Sequence, residues 1–342
     1  MRIALIGSFG LRQDEGMRKL CAQVEAAVRP HHEVLTLQTR DFCTGRAWRQ
    51  LRAFRPDCLH YLTGPTLASL VALRFHQLTL PGRPVTVATG IRPYFGKIAR
   101  RLVWLFAPDH YLAQARRWQR LFAAAGVATT DWPNGVDTRR FTPATPEARA
   151  ELRRKWDLPA DRRVAIHVGH VRENRNLISL CAVQASGEWQ VLVVGSESQS
   201  DSDSTRQQLE AAGCRVHTRY IPTIQEIYQL ADAYVFTVIP TPAGEFPASY
   251  NQVGVIDLPL SILEAMATNL PVVSTRHDAV EHFLGGNPAV AFFDGTGADA
   301  LAQLRRLDGR PVQARARAEE LDLGRVMAQL NAFYATLAHP RR

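Results

Sequence analysis

The chain opens on MRIALIGSFG, an apolar run too short for a helix that ends in a glycine turn, and this pattern predicts a buried strand. DEGMRKLCAQVEAAV follows with acidic residues in its first turn and apolar residues at helical spacing, which predicts a helix. Short apolar runs recur at HEVLTL, CLHYL and VTVAT, with the helical stretch LASLVALRFHQL between the last two. Strands alternating with helices build parallel sheets, so the first half reads as one doubly wound domain. Around DWPNGVDTRRFTPATPEARA no apolar period of element length survives, and a linker is expected there. Alternation restarts with VAIHVGH, WQVLVVG, CRVHTRYI, AYVFTVIP and LPVVST as strands, interleaved with IQEIYQLA, LPLSILEAMA and ALAQLRRL as helices. That is a second α/β domain of similar size, and GRVMAQLNAFYATLA reads as a terminal helix.

Composition agrees with two packed cores: 342 residues, 46% hydrophobic and 21% charged, exclude disorder as the dominant state. The five cysteines, Cys21, Cys43, Cys58, Cys181 and Cys214, form no Cys-x-x-Cys pair, so reduced thiols are expected. There is no signal-like start and no apolar run of about 18 residues, which leads us to expect a cytoplasmic chain. Charge changes the picture more. Residues 1–145 hold 21 Lys and Arg against 9 Asp and Glu, whereas residues 146–342 hold 20 against 23. The basic half calls for an anionic partner, whether nucleic acid, a membrane surface or a phosphorylated substrate. No nucleic-acid motif is readable, so no nucleic acid is expected, and the Gly-x-Gly-x-x-Gly fingerprint of a dehydrogenase is missing.

The most informative segment is VIDLPLSILEAMATNLPVVST. At helical spacing Asp257, Ser261, Glu264 and Thr268 form one polar stripe, and Leu260, Ile262, Leu263, Met266 and Ala267 cover the rest. A solvated helix face satisfies such a stripe. So does a helix whose free N–H groups hold a diphosphate while Glu264 accepts from sugar hydroxyls.

The string LPLSILEAMATNLPVVST resembles the donor-binding signature of retaining GT-B glycosyltransferases of family 4, the glycosyl transferases group 1. PNGVDTRRFTP is similar to that family's interdomain segment, HVGHVRENRNL to its phosphate loop and IQEIYQLADAYVF to its strand-preceding helix. The resemblance covers residues 108–335 well and the amino-terminal domain loosely. It implies an α/β GT-B fold, two doubly wound Rossmann-like domains facing a central cleft. Residues 1–145 would form the acceptor-side domain and 146–322 the nucleotide-sugar donor domain, with a helix over 323–342 packing back on the first.

By the same resemblance the chain is a metal-independent transferase that moves a sugar from a nucleotide-diphosphate sugar to an acceptor hydroxyl with retention. The acceptor would be a lipid-linked or cell-envelope saccharide, and no cofactor beyond the donor is implied. Glu264 would bind the ribose hydroxyls and Arg175 the diphosphate, as the two catalytic residues, with Gly169, His170, Asp257, Leu260 and Ser261 completing the donor set. The departing diphosphate oxygen would take the acceptor proton, with cations stabilising the growing charge. The family's first Glu falls on Ile256, with Asp257 one position over; its phosphate-binding Arg falls on His170, its Lys on Arg175, and a His of the first domain on Thr89. These departures keep a second class open, a nucleotide-sugar or anionic-polymer binding protein without turnover.

On the acceptor side the candidates are Gly10 and Gly16, in a loose glycine loop, with His60 and Thr89 at strand ends. His60 reads equally as a satisfied buried histidine. Asp201-Ser202-Asp203 has a metal-binding form but sits in a serine-rich stretch and reads as a solvated loop. In GKIARRLVWLF, a helical wheel puts Ile98, Ala99, Leu102, Val103, Leu105 and Phe106 on one arc and Lys97, Arg100, Arg101 and Trp104 on the other. This is either a core-docked helix with a solvated face or an attachment site for an anionic membrane.

Overall fold

The computed structural model describes residues 1–10, 16–195, 203–240, 245–246, 256–310 and 312–337. The chain forms two compact units, Met1–Asn134 with Gly244–Leu258 and Gly324–Arg342, and Gly135–Ala243 with Pro259–Leu323. Asp201 and Ser202, and the chain end beyond residue 337, lie outside the described residues.

The first unit runs β1 (Arg2–Gly7), α1 (Gly16–Val28), β2 (Glu33–Gln38), α2 (Gly45–Phe54), β3 (Cys58–Tyr61), α3 (Leu67–Thr79), β4 (Val85–Thr89), α4 (Lys97–Phe106), β5 (His110–Ala113), α5 (Arg116–Ala124) and β6 (Ala128–Asp131). The sheet order is β2-β1-β3-β4-β5-β6, with every pair parallel. Every step from β2 through to β6 moves the same way across the sheet, so right-handed crossovers put α2, α3, α4 and α5 on one face. The step from β1 to β2 runs the other way and puts α1 on the opposite face. Ala4, Ile6, Leu59 and Tyr61 of the sheet meet Phe42, Leu51 and Leu73 in the core.

The second unit runs α6 (Pro146–Lys155), β7 (Arg163–Val168), α7 (Ser179–Ala185), β8 (Trp189–Val194), α8 (Asp203–Ala211), β9 (Arg215–His217), α9 (Gln225–Gln229), β10 (Ala233–Phe236), α10 (Leu260–Ala267), β11 (Val272–Thr275), α11 (Asp278–Leu284), β12 (Val290–Phe293), α12 (Gly297–Leu307) and α13 (Ala314–Glu320). A last helix, α14 (Leu323–Leu337), joins the first unit from Gly324 on. The second sheet is also parallel throughout, in the order β12-β11-β10-β7-β8-β9. Val191, Val193, Val235 and Val273 pack there against Leu180, Val183, Ala300 and Leu304. The approach of α7 to α12 is close because Gly297 lacks a Cβ, which would stand 2.4 Å from Ser179 O.

Two readings need correction. The expected linker ends in a helix, α6, which has no buried residue and therefore no apolar period to read. Its local signals are Thr145, which caps it by accepting from Ala148 N–H at 3.2 Å, and Pro146, which opens it; Arg149 and Arg153 then tie it to the distant Asp232. Strands β5, β6 and β12 were not read either; β6 is a polar edge strand whose alternation carries no hydrophobic signal.

His60 on β3 is fully buried. Its Nδ1 lies 2.5 Å from the Tyr334 hydroxyl of α14 and its Nε2 2.5 Å from Thr89 Oγ1 of β4. Burial drives its pKa from the ordinary 6.5 down to about 3, so the imidazole is neutral. The unfolded chain takes up a proton below pH 6.5 and the folded chain does not, so this contribution is intact above pH 6.5 and is lost as pH falls towards 3. The urea midpoint of the first unit should therefore fall from pH 6.5 to 4.5, with a slope of up to about 1.4 kcal/mol per pH unit from this group. His60→Asn should start less stable at neutral pH and fall less steeply; equal slopes would show that His60 does not set the acid limit.

Candidate functional site

In a parallel sheet every strand ends at the same edge, and in the second unit that edge gathers the loop after β7 and the end of β10. Gly169 follows β7 and extends the ladder, its N–H donating to Val194 O at 2.9 Å. A Cβ at Gly169 would stand 3.0 Å from His167 Nε2. His167 donates from Nδ1 to Val235 O at 3.0 Å. Its burial lowers its pKa to about 4, with the Arg175 charge acting in the same direction, so this imidazole too is neutral.

Beyond Gly169 the loop passes His170, half-buried, and tightens into a short turn over Glu173–Arg175. Asn176 ends the turn in the left-handed region at φ 53° and donates to Gly295 O at 2.8 Å. Val171 and Leu177 are buried in the core on either side, which pins the turn. Arg175 is thereby held buried at the strand edge, where its charge is felt by His167 and by Tyr234.

Two tyrosines carry the arrangement onto α10. Tyr234, on β10, donates to Ser261 Oγ at 2.7 Å, and its hydroxyl lies 3.4 Å from Val168 O. Tyr228, on α9, donates to Glu264 Oε2 at 2.8 Å. Their rings lie 6.1 Å apart, and burial pushes both hydroxyl pKa values up, assisted by the Glu264 charge, so both remain donors. The Tyr228 hydroxyl thus holds the Glu264 carboxylate and the Tyr234 hydroxyl holds Ser261 on α10, while the Arg175 guanidinium on the pinned loop acts on Tyr234 through its charge. The guanidinium suits phosphate oxygens and the carboxylate suits vicinal hydroxyls. Among the described residues no three His, Cys, Asp or Glu side chains gather to hold a metal ion.

Of the residues expected on the donor side, Gly169, His170, Arg175, Leu260, Ser261 and Glu264 all lie in this unit, the first three on the loop after β7 and the last three on α10. Asp257 does not: it belongs to the first unit, where its Oδ1 accepts from Arg117 Nη2 at 3.0 Å and its N–H donates to Ile91 O at 2.7 Å. Both side chains are about 2% exposed, and a carboxylate so buried requires its cation. The four-residue stripe is also shorter than the pattern implied. The helix begins at Leu260, and Thr268 caps its end by donating to Glu264 O at 2.9 Å, leaving Ser261 and Glu264 as the helical pair.

In the first unit His60 and Thr89 are enclosed and bonded to each other, so they join sheet and helix and offer nothing to an acceptor. Gly10 and Gly16 are exposed, and a Cβ at Gly10 meets nothing within 4 Å. On α4 the expected arcs are rotated. Val103 is the buried residue, while Ile98 and Leu105 face outward beside Lys97, Arg101 and Trp104. Arg100 turns inward, donating to Phe95 O at 2.9 Å and lying 4.3 Å over the Phe246 ring. Sequence reasoning missed Tyr228, Tyr234 and His167; the available signal was a tyrosine on the buried side of the helix IQEIYQ, another inside the strand AYVF and a histidine inside the otherwise apolar VAIHV.

Residues 162–306 match the family model described as glycosyl transferases group 1. They contain Gly169, Arg175, both tyrosines, Ser261 and Glu264. No curated protein matches the chain significantly. Among solved structures the chain is similar to a glycosyltransferase from Rickettsia africae, with TM-score 0.77 and 11% identity over 99% of each chain. It is also similar to Alr3699/HepE of Anabaena in complex with UDP and glucose, with TM-score 0.72 and 16% identity over 98% of this chain and 100% of that one. Sucrose-phosphate synthase from Thermosynechococcus elongatus gives TM-score 0.72 and 16% identity over 98% and 99%. The two-sheet α/β fold is that of GT-B glycosyltransferases.

Because Glu264 is the acceptor for the buried Tyr228 hydroxyl, Glu264→Ala should lower the stability of the second unit by about 1–3 kcal/mol, the cost of an orphaned buried donor. Glu264→Gln retains an amide oxygen to accept that bond and should lose less than half as much. Urea unfolding of the unliganded protein measures both, and equal losses would mean that side-chain volume rather than the hydrogen bond is decisive.

Proposed function

We propose that the chain is a retaining glycosyltransferase that binds a nucleotide-diphosphate sugar on its second unit and passes the sugar to an acceptor hydroxyl. The reading is carried by Arg175, buried on the pinned loop after β7, and Glu264, held by the Tyr228 hydroxyl, both inside the residues that match the family model. Arg175 neutralises the diphosphate, whose charge grows as the sugar departs, and so acts most strongly in the transition state. Glu264 accepts from the ribose hydroxyls, which gain no charge, so it contributes to binding more than to rate. The leaving diphosphate oxygen takes the acceptor proton, and no metal or further cofactor enters. The acceptor is a lipid-linked or cell-envelope saccharide, a class consistent with the cationic first half of the chain. UDP-sugars are the first donors to try, since Alr3699/HepE is described with UDP and with UDP-glucose.

Protection against thermal unfolding by UDP-, GDP-, ADP- and dTDP-sugars tests the donor; saturation at a hundredfold excess over Kd adds about 2.7 kcal/mol. Failure of every donor to protect overturns the reading. With the protecting donor, Arg175→Ala should reduce kcat by about 10²–10³-fold, the range for losing one group that stabilises developing charge, and Arg175→Lys should recover part of it. Glu264→Gln should raise the donor KM more than it lowers kcat. The anomeric configuration of the product, read by NMR, decides retention. A second reading, donor binding without transfer, rests on Ile256 at the position of the family's first Glu and on Asp257 being held by Arg117. Protection by a donor with neither transfer nor donor hydrolysis would favour it.

A further inference from the structure

The outward face of α3 is apolar where a solvated helix is polar. Leu70, Leu73, His76 and Gln77 point inward, the last two fixed by His76 Nε2 donating to Phe42 O at 2.9 Å and Gln77 Nε2 donating to Asp109 Oδ2 at 2.6 Å. That anchoring leaves Val71, Phe75 and Leu78 facing out, with Phe75 55% exposed. Helix α4 packs beside α3 and presents Ile98 at 75% exposure, Trp104 at 64% and Leu105. Six of the nine large hydrophobic side chains exposed among the described residues therefore lie on two adjacent helices. Scattered exposed hydrophobics need no explanation, but a contiguous patch does.

The charge around the patch is of one sign. Helices α2, α3, α4 and α5 share one face of the sheet and contain ten Lys and Arg and no Asp or Glu. Arg117 is buried against Asp257 and Arg100 turns inward, which leaves most of the others at the surface. Helix α2 adjoins α3 through Trp48 Nε1 donating to Thr79 Oγ1 at 3.1 Å, and it exposes Arg46, Arg49 and Arg52 on one side of the patch. Lys97 and Arg101 stand on the other.

We infer that the α2–α5 face of the first unit docks on an anionic lipid bilayer. An apolar ridge with a Trp and a Phe, rimmed by cations, matches the acyl boundary and headgroup layer of such a surface. A soluble polyanion would satisfy the cations but leave the six apolar side chains in water. A second copy of this chain would cover them but set two like-charged faces together. No helix among the described residues is long and apolar enough to cross a membrane, so the contact is peripheral to the bilayer.

Co-sedimentation of the full chain with phosphatidylglycerol/phosphatidylcholine vesicles tests this without any donor, so its outcome and that of the donor experiments are independent. The protein should partition onto these vesicles, bind pure phosphatidylcholine at least tenfold more weakly, and be released as salt rises. Each surface cation is worth about fivefold, so Arg49→Gln, Arg52→Gln, Lys97→Gln and Arg101→Gln combined should reduce partition by more than a hundredfold. Phe75→Ser with Trp104→Ser should reduce it by more than tenfold, at unchanged melting temperature because both side chains are exposed. The inference is overturned if the parent protein does not partition, or if the Phe75/Trp104 variant binds as the parent does. It is equally overturned if the parent is a dimer in solution that the Phe75/Trp104 variant dissociates, with no vesicle binding by either form.

Discussion

Parallel pairing governs both sheets, and the rest of the molecule follows from it. A parallel step cannot be closed by a tight hairpin, so each strand is followed by a crossover, and right-handed crossovers cover both faces with helices. The strands are thereby buried on both sides, which is why β8 reads as the nearly unbroken apolar run WQVLVV. All strands also end at one edge. In the second unit that edge receives the Gly169 loop, the end of β10 and the residues of α10, so polar groups from distant parts of the sequence meet where the backbone is free to turn.

Burial then decides what those polar groups do. The imidazoles of His60 and His167 are both held neutral by their surroundings, each with a hydrogen-bond partner on a neighbouring element. Tyr334 uses its hydroxyl to fasten α14 to the first sheet, whereas Tyr228 and Tyr234 use theirs to orient Glu264 and Ser261. The chemistry is the same and the consequence differs: one set closes a fold, the other presents a carboxylate and a hydroxyl in fixed positions. The Arg117–Asp257 pair belongs with the first set. Its charges neutralise each other inside the first unit and anchor the residues just before α10 to α5.

The surface of the first unit departs from the usual amphipathic rule in one place. Helices α3 and α4 satisfy the core with one face and remain apolar on the other, while their neighbours supply only positive charge. A contiguous apolar face exposed beside a row of cations is the kind of surface that calls for a partner, and the proposed bilayer contact rests on it.

The sequence by itself determined the class of fold, because strand and helix periodicities are local and alternate along the chain in the only order that parallel sheets allow. It also marked Ser261 and Glu264, because polar residues at helical spacing inside an apolar helix are legible at short range, whereas Arg175 was picked out only by the resemblance of its loop to a family motif. The tertiary structure decided the partners. Asp257 sits seven residues before Glu264 and shares its helical phase, yet it bonds to Arg117, 140 residues away in sequence. Tyr228 and Tyr234 look like core aromatics until α10 is placed against them. On α4 the wheel placed six apolar residues on one arc, and the structure buries Val103 while leaving Ile98 and Leu105 exposed, which the pattern alone did not distinguish. Periodicity reports how many residues can be buried on one side; which of them are buried depends on the neighbour, and the neighbour is set by sheet order.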